Sequence, residues 1–128
     1  MIRFETEIKP RITAKELKKM HIIDVLEDER DFSIVVAGQA FFCQPYFPVL
    51  ELAQYCQHWL RSPKRDFLYS TIETEENPLL AFHKQKDGWK IKSVWQQFEC
   101  EEIFSDDEVM DFVRGIIDYV TQPSAHKS

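Results

Sequence analysis

Glycine is scarce in this chain, with three among 128 residues, at positions 38, 88 and 115. That scarcity excludes the phosphate-cradling loops of P-loop and dinucleotide-binding proteins, which use several closely spaced glycines to bring backbone against a pyrophosphate. Cysteine is equally scarce. Cys43, Cys56 and Cys100 are odd in number and widely spaced, so neither a disulfide framework nor a zinc knuckle is encoded, and buried free thiols are expected. The histidines at 21, 58, 83 and 126 lack the i, i+4 spacing of a helical metal pair and stand near no CxxC element, so no metal and no cofactor is expected. No apolar run approaches the roughly 20 residues that a bilayer crossing needs. The opening segment MIRFETEIKP carries a charge at every second position from Arg3 to Lys9, unlike a secretory leader, and a cytoplasmic protein without a membrane partner is expected. Positive charge is in deficit, with 16 Lys and Arg against 22 Asp and Glu and a net charge of −6, which disfavours a general nucleic-acid binder.

Aromatic residues are plentiful and spread along the chain: ten Phe, four Tyr and three Trp. With 44% apolar and 30% charged residues the composition is that of a globular protein. A chain of this length buries about two thirds of its unfolded surface, enough to fold without metal or disulfide. One α+β domain over residues 1–122 is expected, followed by a flexible tail at 123–128.

Periodicity places the elements. Ile2, Phe4, Thr6 and Ile8 alternate with charged residues as in a half-wet strand, which Pro10 ends. Thr13 and Glu16 form a capping box that opens a short helix over 14–20, with Leu17 and Met20 facing inward. Residues 21–31 fit neither period and stay unassigned. Phe32–Val36 and Ala40–Cys43 flank AGQ and predict a hairpin turning at Gly38. Val49, Leu52, Ala53, Cys56, Trp59 and Leu60 fall on one helical stripe, bounded by Pro48 and Pro63, and predict a helix near 48–61. Asp66–Ile72, Pro78–Gln85 and Trp89 to about Cys100 predict three antiparallel strands, the last two joined at Asp87-Gly88. A second capping box, Ser105 with Glu108, opens a helix near 105–121 whose stripe is Val109, Phe112, Val113, Ile116, Ile117 and Val120, with Pro123 beyond its end. The whole reads as α+β: an antiparallel sheet of about five to six strands with these helices packed on one face as a two-layer sandwich.

The stretch GWKIKSVWQQFECEE, 88–102, breaks its own alternation. Trp89, Ile91 and Trp95 share one face, whereas Val94, Phe98 and Cys100 share the other, so inside and outside exchange near Trp95–Gln97. Three readings accommodate the exchange: a β-bulge, a sheet covered on both faces, or an exposed Trp95 serving as an interface anchor.

Charge is segregated along the chain. Bases gather at Lys9–Lys19, at Arg61–Arg65 and at Lys84–Lys92. Acids are densest where Glu99, Glu101, Glu102, Asp106, Asp107, Glu108 and Asp111 cross a strand end, a loop and a helix start. Asp106, Asp107 and Glu108 have a structural reason there, since carboxylates complement the positive end of a helix. The same segment, with Trp95 beside it, is the candidate partner-binding surface, steering a basic protein by complementary charge. No catalytic residue is assigned. FFCQPYFPVLELAQYCQHWL and LLAFHKQKDGWKIKSVWQQFE together resemble, in hydrophobic pattern and in Trp, Pro and Gly landmarks, an uncharacterised group of small bacterial α+β proteins similar to the immunity proteins of polymorphic-toxin systems. The resemblance covers about the central half of the chain and implies a non-catalytic bacterial binder whose partner is a basic toxin domain. Two rival readings are a small-ligand or enzymatic domain with a cavity between helix and sheet near Trp59, Trp89 and Trp95, and a homo-oligomeric structural module.

Overall fold

A computed structural model describes residues 1–72 and 74–122; the tail expected at 123–128, and Pro123 as a helix stop, lie outside them. In chain order the elements are β1 (Ile2–Thr6), β2 (Ile12–Thr13), α1 (Ala14–Lys19), α2 (Ile22–Glu27), β3 (Arg30–Val36), β4 (Gln39–Phe47), α3 (Val49–Trp59), β5 (Phe67–Tyr69), β6 (Leu80–Lys84), β7 (Trp89–Lys92), α4 (Asp106–Val120) and β8 (Thr121–Gln122).

Helices α1 and α4 begin where the capping chemistry places them. Thr13 Oγ1 accepts from the Glu16 N–H at 3.0 Å and Glu16 Oε1 accepts from the Thr13 N–H at 2.8 Å, which starts α1. Ser105 and Glu108 make the same reciprocal pair, both at 3.1 Å, at the start of α4. Each box satisfies two backbone donors that a helix start otherwise leaves open. The α4 stripe is buried at Val109, Phe112, Val113, Ile116 and Val120 and half-buried at Ile117. In α3 the stripe is buried from Val49 to Trp59, and Leu50 and Glu51 join it because Phe47 and Tyr69 close over the first turn.

The strands do not form one sheet of five or six. They form two antiparallel three-stranded sheets, β1-β3-β4 and β5-β6-β7, and a short parallel pair, β2-β8. The β3–β4 hairpin turns at Ala37 and Gly38, both with positive φ (51° and 82°), a geometry that matches strand twist. What separates the sheets is the behaviour of the chain after Lys92. Ser93 Oγ accepts from the Trp95 N–H at 3.0 Å, and the Gln96 carboxamide accepts from the Ser93 N–H at 3.1 Å. These local bonds take the backbone groups that a longer β7 would offer to a ladder, so the strand ends. The turn then lies along β4, where the Gln97 N–H donates to the Phe41 carbonyl at 2.7 Å. The expected exchange of faces therefore needs neither a bulge nor a two-sided sheet, because residues 93–99 are not strand.

A shared core joins the parts. The Phe112 ring of α4 meets Phe4 of the first sheet at 5.7 Å and Phe82 of the second at 5.6 Å between centroids, so one helix covers both. Trp59 of α3 meets Phe67 and Trp89, each at 5.7 Å. Two further expectations are corrected. Ile8 lies beyond the end of β1 and is exposed, because its strand stops at Thr6. Cys43 is exposed, since its register opposite Ser33 puts it on the outer face of β4, while Cys56 and Cys100 are buried. Residues 21–31 hold α2, a helix with Ile22 and Ile23 exposed and one buried anchor, Val25, which is why neither period showed.

Candidate functional site

The acidic segment forms a margin where the β7 edge, the 99–105 connection and the first turns of α4 meet. Its position is fixed by backbone: Trp89 and Phe104 exchange two N–H···O=C bonds, both 2.8 Å, as an isolated antiparallel bridge. Such close approach requires Gly88, at φ +151°, because a Cβ there would stand 2.4 Å from the Phe104 carbonyl oxygen.

Most of the carboxylates are answered from within the molecule. Glu99 faces Lys92 at 3.5 Å and Glu101 faces Lys90 at 3.8 Å, both lysines on the outward side of β7. The Met1 amino group lies 2.7 Å from Glu102 and 4.0 Å from Glu108, and Glu102 holds that amine above its usual pKa. Asp106 accepts from the Trp89 Nε1–H at 2.7 Å and from Lys84 Nζ at 3.0 Å, and these two donors hold its carboxyl below the usual carboxylate range. Lys84 Nζ also stands 4.8 Å over the Trp89 ring. Asp107 and Asp111, one turn apart on the exposed face of α4, make no ion pair within 4.0 Å among the described residues. The margin is thus a row of exposed, weakly held pairs, worth little to stability individually, ending in two unneutralised carboxylates.

Trp95 is half-buried and stands apart from α4. Its ring packs 6.3 Å from Phe42 and its Nε1–H donates to Glu76 at 3.0 Å, beside Tyr46 and Leu79. The expected tryptophan cavity forms in part: Trp59 and Trp89 line a cleft of about 470 Å³ with Lys84, Asp106 and Met110, and Trp95 contributes nothing to it. The lysines that answer the acids were not expected in that role, although the signal was present. Lys90 and Lys92 alternate on one face of a strand, and an acidic return segment follows.

Two buried charged residues, Glu51 and Arg30, lie elsewhere among the described residues. Glu51 accepts from the Tyr69 hydroxyl at 2.5 Å; burial and the adjoining carboxylate push the Tyr69 phenol far above its usual pKa. Arg30, 1% exposed, binds Asp28 at 2.7 Å through Nε, and its Nη1 is buried without a partner. Burial likewise raises the Cys56 thiol, which leaves it unreactive. Among the described residues no three His, Cys, Asp or Glu side chains group to hold a metal ion, and no helix is long and apolar enough to cross a membrane.

These features define a mixed α/β protein in which two small antiparallel sheets share a helical cover and one margin is acidic. The chain belongs to the family described as a domain of unknown function (DUF7878), whose family model matches residues 2–122. No curated protein and no solved structure matches it.

Proposed function

We propose that this chain is a non-catalytic protein-binding domain that takes a basic partner on the margin formed by Glu99, Glu101, Glu102, Asp106, Asp107, Glu108 and Asp111. The observation that carries the reading is the unneutralised pair Asp107 and Asp111, continued by Glu101, whose side chain is 78% exposed and whose lysine is 3.8 Å away. Exposed carboxylates in a row raise the rate of encounter with a cationic surface. The lysines that hold Glu99, Glu101 and Asp106 at rest are themselves exposed or partly exposed on long stems, so a partner's arginines can displace them at small cost. Together with the pattern resemblance to immunity proteins, this chemistry suits an inhibitor that neutralises a basic toxin domain in a bacterial cytoplasm. Trp95 is not counted in the proposed contact, because its ring packs on Phe42 and its indole N–H donates to Glu76.

The test is capture of the partner from the native host by immobilised protein. The Asp107→Lys, Asp111→Lys variant is expected to keep its thermal midpoint and lose capture. Undiminished capture by a folded variant would move the site elsewhere.

A further inference from the structure

The bases of α1 and those following α3, separate in sequence, meet in space. Lys18 of α1, His58 of α3 and Arg61 line a cleft of about 600 Å³ together with Met20, Leu60 and Ile117. No acidic residue lines it, and neither Lys18 nor Arg61 has a carboxylate within 4.0 Å among the described residues. That sets them apart from Lys84, Lys90 and Lys92, each of which the fold provides with its own acid. The cleft is also held in shape. The Gln54 carboxamide donates to the carbonyls of Leu17 and Met20 at 2.7 and 3.0 Å, and that of Gln57 donates to Ala14 at 3.0 Å, so α1 is stapled to α3.

We propose that this cleft binds a small organic phosphate. The guanidinium fork of Arg61 and the ammonium of Lys18 suit a phosphate monoester. The apolar lining of Met20, Leu60 and Ile117 suits a flat or hydrocarbon group attached to it. The volume falls in the range of metabolite sites, and the concavity separates it from a flat protein-docking face. A mononucleotide has both features.

Calorimetric titration with AMP, adenosine and inorganic phosphate, alongside thermal unfolding, tests the assignment. AMP is expected to bind and to raise the thermal midpoint, with adenosine and phosphate each about tenfold weaker or more, because each lacks one half of the contacts. The Lys18→Gln, Arg61→Gln variant is expected to weaken AMP binding by about a hundredfold, given two lost charge-assisted contacts. Each single substitution, at an exposed side chain, is expected to cost about tenfold, which keeps the test intact if the double variant unfolds. AMP binding should be equal in the Asp107→Lys, Asp111→Lys protein, so the cleft and the acidic margin stand or fall separately. No heat and no stabilisation with millimolar AMP would overturn the proposal, as would unchanged binding in the double variant. Binding of polyglutamate in place of AMP would overturn it too, by making the cleft a docking face for an acidic chain.

Discussion

Replacing Gly88 by alanine tests how the margin is held. The new Cβ would meet the Phe104 carbonyl oxygen at 2.4 Å and Ile103 Cγ2 at 2.8 Å, and φ is +151°. A side chain in such a backbone conformation costs about 1–3 kcal/mol. Relieving the contact requires Phe104 to retreat from Trp89, loosening two hydrogen bonds worth about 0.5–1.5 kcal/mol each. The sum, about 2–6 kcal/mol, is a large share of the roughly 5–15 kcal/mol that holds a small domain together. For a chain of this length each kcal/mol moves the thermal midpoint by about 4 °C, so a fall of about 8–24 °C is expected in calorimetry or circular dichroism. Gly38→Ala is the control: φ is +82° with nothing within 4 Å of the new Cβ, and the left-handed penalty of about 1–2 kcal/mol acts alone. If Gly88→Ala lowers the midpoint no more than Gly38→Ala does, the close approach of residues 88 and 104 is not what anchors the margin.

Tyr69→Phe removes the hydroxyl that donates to buried Glu51 and is expected to cost about 1–3 kcal/mol, since a desolvated acceptor is left open; in a double-mutant cycle with Glu51→Leu the two losses should fall well short of additive. Asp106→Asn probes pH dependence. The folded-state pKa of Asp106 lies below the ordinary value of 3.8, so its ionised form adds stability above that pH, and the contribution is lost as pH falls through the lower folded value. The difference in thermal midpoint between wild type and Asp106→Asn should therefore be constant near neutrality and shrink in acid; a gap that widens below pH 3.8 would contradict the assigned contacts.

Three helices were legible in the sequence: α1 and α4 from a capping box with an apolar pattern, and α3 from a stripe bounded by prolines. Ser105 with Glu108 and the Val109–Val120 stripe fix α4 to within a residue of its observed ends. Strand partners were not legible, because period-two patterning shows which face is buried and says nothing about where a ladder stops. After Lys92 the outcome turned on two side-chain bonds, from Ser93 and Gln96, that no alternation pattern reports. The α2 segment escaped because one buried residue makes no period. The acidic segment was legible as composition, and its neutralisation was not: that required knowing that the 99–101 return lies beside Lys90 and Lys92. Trp95 was read as an aromatic anchor beside the acids, and its packing on Phe42 was not legible because it depends on the turn at Ser93.

The most direct measurement is the association rate of the captured partner at low and at physiological ionic strength, for wild type and for Asp107→Lys, Asp111→Lys. Electrostatic docking on this margin predicts a rate that falls with added salt, and a variant that is both slower and far less sensitive to salt. A rate indifferent to salt, or the same salt dependence in both proteins, would contradict it.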